Sequence, residues 1–229
     1  MYGFDRTGRL LATVHLRGAA AVDWEDMCRF HREGKDYLAI ADVGDNQAKR
    51  SVVVVYVIEE PDIDCRPGEA HPVTRSVAVV RELRIRYPTG ACDCESLAYD
   101  PRRDAFLLAS KERFRCRLWT VPAADRDDGS EVVEARLLTT LALPLVTAAD
   151  ISPDGSRLVL GTYGPACILQ RRGDAPWSSN GGDLQIIALP PRRQGEAICF
   201  NRAATGLLLT TEGSPAWVWE VDVPPQEGR

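Results

Sequence analysis

The 229-residue sequence has no Cys-x-x-Cys pair, no Gly-x-x-x-x-Gly-Lys phosphate loop, no Gly-x-Ser-x-Gly elbow and no His-Glu-x-x-His motif. Zinc-ribbon, P-loop, α/β-hydrolase and zincin chemistry therefore recede. Histidine is scarce: His15, His31 and His71 stand outside the repeat described below, so none is a natural general base and no Ser-His-Asp triad can be assembled. No apolar run approaches the length of a bilayer span, and the longest, such as Val52 to Ile58, suit a buried strand. Nor is positive charge in excess: 28 Lys and Arg against 33 Asp and Glu leave a net −5, which argues against nucleic acid as a partner. Met1-Tyr2-Gly3-Phe4-Asp5 shows no basic segment followed by an apolar one, so no signal peptide is expected. The cysteines number seven, an odd count that fits unpaired thiols in a reducing, cytoplasmic setting better than a disulfide framework.

The composition, 45% hydrophobic and 27% charged, is that of a soluble globular chain, and one domain over 1–229 is the expectation. Its main internal signal is a repeat. Four segments overlay without gaps: Asp23 to Phe30, Asp93 to Asp100, Thr147 to Asp154, and Gln194 to Asn201. The third column is Glu in three of the four, at Glu25, Glu95 and Glu196, and the fifth is always large and apolar. After each segment comes a turn and an apolar run (Tyr37 to Ala41, Phe106 to Ala109, Leu158 to Leu160, Leu207 to Leu209), then a third strand signal (Val52 to Ile58, Arg117 to Val121, Cys167 to Gln170, Trp217 to Val221). Fourth strands are expected near Leu83 to Tyr87, Leu137 to Leu143 and Leu184 to Leu189. Units of four short strands repeating every few dozen residues predict an all-β fold, the β-propeller. The long interval between the first two motifs is an insertion around Pro61 to Pro72, read as a surface loop.

Topology then locates chemistry. The first strand of a propeller blade lines the central channel and the second runs back antiparallel, so the start of one and the end of the other share a face. The motif acids stand at the starts of first strands, and the second strands end at Asp42, Lys111, Tyr163 and Glu212. Asp23 and Glu25, like Asp93 and Glu95, are two apart and point to one side, with Trp24 and Cys94 turned away. Gathering Asp23, Glu25, Asp42, Asp93, Glu95, Glu196 and Glu212 round one mouth costs mutual repulsion unless a cation joins them or some hold protons. A hard divalent ion meets that need, Ca²⁺ before Mg²⁺, because calcium accepts many carboxylates in irregular geometry. Lys111 and Arg50 are the chain's own alternative. The same acids equally suit a structural task, accepting backbone N–H bonds that tie blades together. Asp150 lies one column later than the other acids, which turns it toward a blade interface. Asp150-Ile151-Ser152-Pro153-Asp154-Gly155 mimics the start of an EF-hand loop, but its twelfth position is Gly161 and strands flank it.

Together, Asp23-Trp24-Glu25-Asp26-Met27, Ala41-Asp42-Val43-Gly44-Asp45-Asn46 with Arg50, Asp93-Cys94-Glu95-Ser96-Leu97, Thr147 to Gly155, and Gln194-Gly195-Glu196-Ala197-Ile198 with Thr211-Glu212-Gly213 resemble the bacterial phytase-like and esterase-like propellers, which carry WD40-like repeats. The resemblance implies five-bladed architecture with four complete blades and an N-terminal partial one, Tyr2 to Val14 forming only its outer half. The ring is then either incomplete or closed by Leu10 to His15 against Trp217 to Val221. It further implies Ca²⁺ binding and metal-dependent hydrolysis of a small phosphorylated or ester substrate. The shared mouth of acids and cations supplies the parts for such a reaction: Glu95 and Glu196 would be the channel carboxylates that orient water, and Lys111, Arg50 or Tyr163 would steady developing charge. Cys94 and Ser96 depart from the small apolar residues expected beside the acids. A non-enzymatic propeller that binds a protein or peptide across its acidic face is the competing reading, and oligomeric state is not legible.

Two further thiol features complete the inventory. Cys28 and Cys199 share a repeat column beside apolar neighbours, where a thiol behaves as a small core residue. Cys92 and Cys94 flank Asp93, a spacing that suits two small packing residues and also a redox pair or thiolate ligands.

Overall fold

The structure is a computed structural model that describes residues 1–63, 72–124, 132–178 and 184–224. Among the described residues there is no helix, and five small sheets stand in a ring as the blades of a five-bladed β-propeller.

The first blade holds Tyr2–Phe4, Leu10–Arg17 and Val73–Ala78. The second holds Trp24–Arg32, Lys35–Asp42, Val53–Glu59 and Arg81–Arg86, with Val133–Glu134 added in parallel on the last. The third consists of Cys94–Asp100, Ala105–Ser110, Cys116–Pro122 and Arg136–Leu141, and the fourth of Val146–Ile151, Arg157–Thr162, Ala166–Gln170 and Leu184–Ile187. Gly195–Phe200, Gly206–Thr211 and Trp219–Asp222 make the fifth. These bounds match the strand signals of the repeat within a residue or two. Most of the Pro61 to Pro72 insertion lies outside the described residues.

The blades in the middle of the order bury both faces, so strands such as Ala105–Ser110 and Arg157–Thr162 are buried at every residue and read as continuous rather than alternating runs. Val53, Val55 and Val57 of blade two pack on Leu97, Phe106, Leu108 and Trp119 of blade three. Leu107 and Leu118 of blade three meet Leu158, Leu160 and Leu169 of blade four, whose other face carries Val159 and Ile168 onto Ile198, Leu207 and Leu209 of blade five. Leu16 and Val77 of blade one lie against Ile40, Tyr56 and Ile58.

The N-terminal strand does not close the ring in the manner the sequence allows. Leu10–Arg17 pairs antiparallel with Tyr2–Phe4 and in parallel with Val73–Ala78, while Trp219–Asp222 pairs with Gly206–Thr211. The edge that Leu10 to His15 would have offered to the last blade is occupied by the far end of the insertion. Blades one and five are instead linked by an ion pair, Arg6 Nη1 to Glu220 Oε2 at 3.6 Å.

Polar groups inside the ring are tied with care. Asp100 is fully buried, accepts from both Arg171 guanidinium nitrogens, from Trp177 Nε1 at 3.1 Å and from Arg102 N at 3.1 Å, and Arg171 stacks on the Trp177 ring at 4.0 Å. This set joins blade three to the connection that follows Ala166–Gln170. The EF-hand mimic is a hairpin turn. Gly155 at φ 69° donates its N–H to Ser152 O at 2.7 Å, and Asp154 accepts from Ser152 Oγ at 2.6 Å.

Candidate functional site

Each inner strand begins with a β-bulge. The ladder skips one residue between Trp24 and Asp26, between Val146 and Ala148 and between Gly195 and Ala197, and two, Glu95 and Ser96, between Cys94 and Leu97. A bulge leaves its extra residue unpaired and re-aims the side chain, so Glu25, Glu95 and Glu196 leave the ladder at one end of the ring. In blade four the bulged residue is Thr147, which corrects the gap-free overlay by two positions. Thr147, not Ala149, is the equivalent of Glu25, and its Oγ1 donates to Gly195 O at 2.6 Å. Asp150 accordingly falls in the column of Cys28 and Cys199 and accepts from Phe200 N at 2.8 Å, a tie between blades four and five.

The sequence-predicted residues divide into two groups. Asp42 is 1% exposed and fully engaged: it accepts from Val22 N at 3.0 Å and Asp23 N at 3.1 Å, and pairs with Arg50 Nη1 at 2.8 Å. Arg50 also donates to Gly44 O at 2.9 Å, and Asp45 accepts from Lys49 N and Arg50 N. Asp42 and Arg50 therefore brace the loop over 42–50 rather than face the channel. Glu212 is exposed at the rim, bonded to Gln194 Nε2 at 3.2 Å.

Asp23, Glu25, Asp93, Glu95, Lys111, Tyr163 and Glu196 form the second group and meet in one mouth. Lys111 Nζ pairs with Glu95 Oε1 at 2.5 Å and lies 5.1 Å from the centre of the Tyr163 ring. Asp93 Oδ1 accepts from Asp45 N at 2.8 Å. Glu95 is 3% exposed, and its Oε2 has no hydrogen-bond partner among the described residues. Burial together with the charges of Glu95, Asp23 and Asp93 pushes Glu25 up to about 8, and Glu25 and Asp23 share a hydrogen bond. Burial raises Glu95 to about 7 against the opposing pull of Lys111, and raises Asp93 and Glu196 in the same sense. Burial works against the charge on Lys111, but its bonds to Glu95 and Tyr163 outweigh that and hold its pKa above the ordinary value. Five carboxylates thus face one ammonium, and near neutral pH Glu25 and Glu95 keep part of their protons.

Gly44 makes room for this pair of acids. A β-carbon at position 44 would fall inside van der Waals contact of both Glu25 Oε1 and Asp23 Oδ2. Those atoms end flexible side chains, so Gly44→Ala is expected to leave the fold intact while splaying the two carboxylates. The check is a thermal midpoint within about 3 °C of wild type, roughly 1 kcal/mol at this chain length, alongside an altered carboxyl titration followed by NMR.

Sequence reasoning missed Asp26. It is partly buried, and its Oδ2 accepts from Leu97 N at 2.8 Å and Ala149 N at 3.3 Å, so one carboxylate binds three blades. Burial raises it to about 7, and burial raises Asp150 to about 6. The signal was present in the column after Glu25, where Asp is the wrong residue for an apolar core and needs partners.

Fold and site together define a β-propeller with an acidic channel mouth. No protein-family model and no curated protein matches the chain. Solved structures similar to it include a putative 6-phosphogluconolactonase from Bacteroides uniformis ATCC 8492, at 14% identity and TM-score 0.49, covering 100% of this chain and 61% of that one. The β-propeller domain of Cps50 (Swd1) from Myceliophteria thermophila is similar at 13% identity and TM-score 0.41, over 91% of this chain and 58% of that one. The Dos1 propeller is similar at 11% identity and TM-score 0.41, over 99% and 63%. The chain spans about three fifths of the length of these proteins. Two of the three are described as propellers, and no match singles out the phytase-like group.

Proposed function

We propose that the mouth is a divalent-cation site, Ca²⁺ before Mg²⁺, held by Asp23 and Glu25 from blade two and by Asp93 and Glu95 from blade three. The observation that carries this reading is the unbonded Glu95 Oε2, buried beside a Glu25 that keeps its proton near neutrality. A buried carboxylate oxygen without a donor is costly, and a cation relieves that cost along with the repulsion around it. Among the described residues no group of three or more His, Cys, Asp or Glu already converges on a metal position. The donor set fits the ion all the same: hard oxygens, from two blades, with Glu25 and Asp23 packed close over Gly44.

A bound cation would polarise a phosphoryl or carbonyl oxygen brought to the mouth. Lys111 and Tyr163 stand on the side toward Glu196 and would steady an anionic ester there, while Glu196, with its raised proton affinity, would take a proton from water. On this reading the substrate is a small phosphorylated or ester compound.

Titration calorimetry with Ca²⁺ on chelator-treated protein tests the site. Wild type is expected to bind, and Glu25→Gln with Glu95→Gln to weaken binding at least about tenfold, equivalent to roughly 1.4 kcal/mol. Absence of heat and of any thermal shift in the wild type rejects the proposal. Phosphomonoesters, phosphodiesters and carboxyl esters assayed with Ca²⁺ then separate a hydrolase from a propeller that only binds.

A further inference from the structure

Behind the acidic mouth, the alternation that points Asp93 toward the channel turns its two neighbours the other way, onto one side. The thiols of Cys92 and Cys94 touch there, Sγ to Sγ at 3.9 Å, and both residues are buried. Arg117, from the third strand of the same blade, donates Nη2 to Cys92 Sγ at 3.5 Å and Nη1 to Thr89 Oγ1 at 2.7 Å. The Arg117 side chain is partly exposed, so Cys92 lies one guanidinium away from solvent. Two small packing residues need neither mutual contact of sulfurs nor a cation aimed at one of them.

We infer that Cys92 and Cys94 are a redox-active pair that closes reversibly to a disulfide when a hydroperoxide reaches Cys92. The Cys92 sulfur, beside the Arg117 guanidinium, gives up its proton as it attacks the peroxide; the O–O bond breaks, a sulfenic acid forms on Cys92, and the departing oxygen takes that proton and leaves as water. The Cys94 sulfur then attacks the Cys92 sulfur. The S–O bond breaks, the S–S bond forms, and the hydroxide leaves as a second water with the Cys94 proton. Two thiols thereby give two electrons and two protons to hydrogen peroxide, and a small dithiol reverses the change by exchange. Side-chain rotation brings the sulfurs from contact to the bonding distance of about 2.05 Å. The small ring so formed encloses Asp93, so the backbone at the mouth reports the oxidation state. The inference does not depend on the cation reading.

The test is hydrogen peroxide treatment of the folded chain, alkylation under denaturing conditions, and peptide mapping by mass spectrometry. The expected product is a loss of about 2 Da on one peptide, with Cys92 and Cys94 protected from alkylation. Dithiothreitol reverses it, and Cys116→Ser retains it. In Cys94→Ser, Cys92 is expected to gain about 16 Da instead. Free Cys92 and Cys94 in treated wild type, a bridge from either to Cys116 or to a second chain, or plain oxygen addition at Cys92 in wild type overturns the proposal. The wild-type map decides this alone, so a variant that fails to fold does not blunt the test.

Discussion

In chelator-treated protein the unfolding temperature is expected to fall as pH rises from about 5 to about 8, and Ca²⁺ is expected to restore it most at the upper end of that range. In the fold Glu25 is raised from 4.5 to about 8 and Glu95 to about 7, with burial the leading cause at both. Asp26 at about 7 and Asp150 at about 6 act in the same direction. Between the unfolded and folded values of each group the native state holds a proton that the unfolded chain has released, so each rise in pH favours unfolding. Below the unfolded values the stabilising difference is fully present; above the folded values it is lost. A tenfold change in proton affinity is worth about 1.4 kcal/mol for a buried group. The four shifts counted in full would sum to far more; solvent in the channel and relaxation around the carboxyl groups reduce them all, so we expect about 3 kcal/mol in all, or roughly 6–12 °C for a chain of this size. Glu25→Gln should flatten the upper part of the profile and stabilise the protein at the alkaline end. Cation binding displaces protons, so the heat of Ca²⁺ binding should depend on the ionisation enthalpy of the buffer. A melting profile that is flat or rises over this range removes the basis for protonated acids in the mouth.

Asp100→Ala is expected to cost about 3–5 kcal/mol, because it leaves the buried Arg171 guanidinium without its counter-charge and removes the acceptor for Trp177 Nε1. The corresponding fall in melting temperature is about 6–20 °C. The double variant Asp100→Leu, Arg171→Met is expected to recover a good part of that loss, since replacing both members of a buried pair removes the unsatisfied charge along with the bond. Thermal denaturation of the two singles and the double gives the coupling directly. Equal destabilisation of the double and the summed singles would mean that the pair is not energetically coupled.

Much of the fold could be read in the sequence because blades buried on both faces leave long apolar runs separated by turn residues, and because the repeat restarts each blade. Glu25, Glu95 and Glu196 could be grouped for the same reason. What escaped has a common origin in features that change parity or span distance. A bulge adds one residue to one strand, which is invisible to a gap-free overlay, and so the third segment slipped by two and the equivalence of Thr147 with Glu25 was hidden. Asp42 looked like a channel acid because of its place at a strand end, yet the amides of Val22 and Asp23 and the side chain of Arg50 claim it. Val73–Ala78 is an outer strand whose residues are mostly exposed, so it lacks the apolar signature of the inner ones. Asp100 and Arg171 lie 71 positions apart, and nothing in either neighbourhood announces the other.

The junction between the first and last blades has a consequence for how this wheel wears. Four of its five spokes are cemented by apolar packing, whereas the fifth is spanned by Arg6 and Glu220, whose side chains are 82% and 47% exposed. A solvated pair of that kind contributes at most about 1 kcal/mol and fades in salt. Among the described residues the rim is therefore weakest between the first and last blades, and the circle gives way there before any of its other joints.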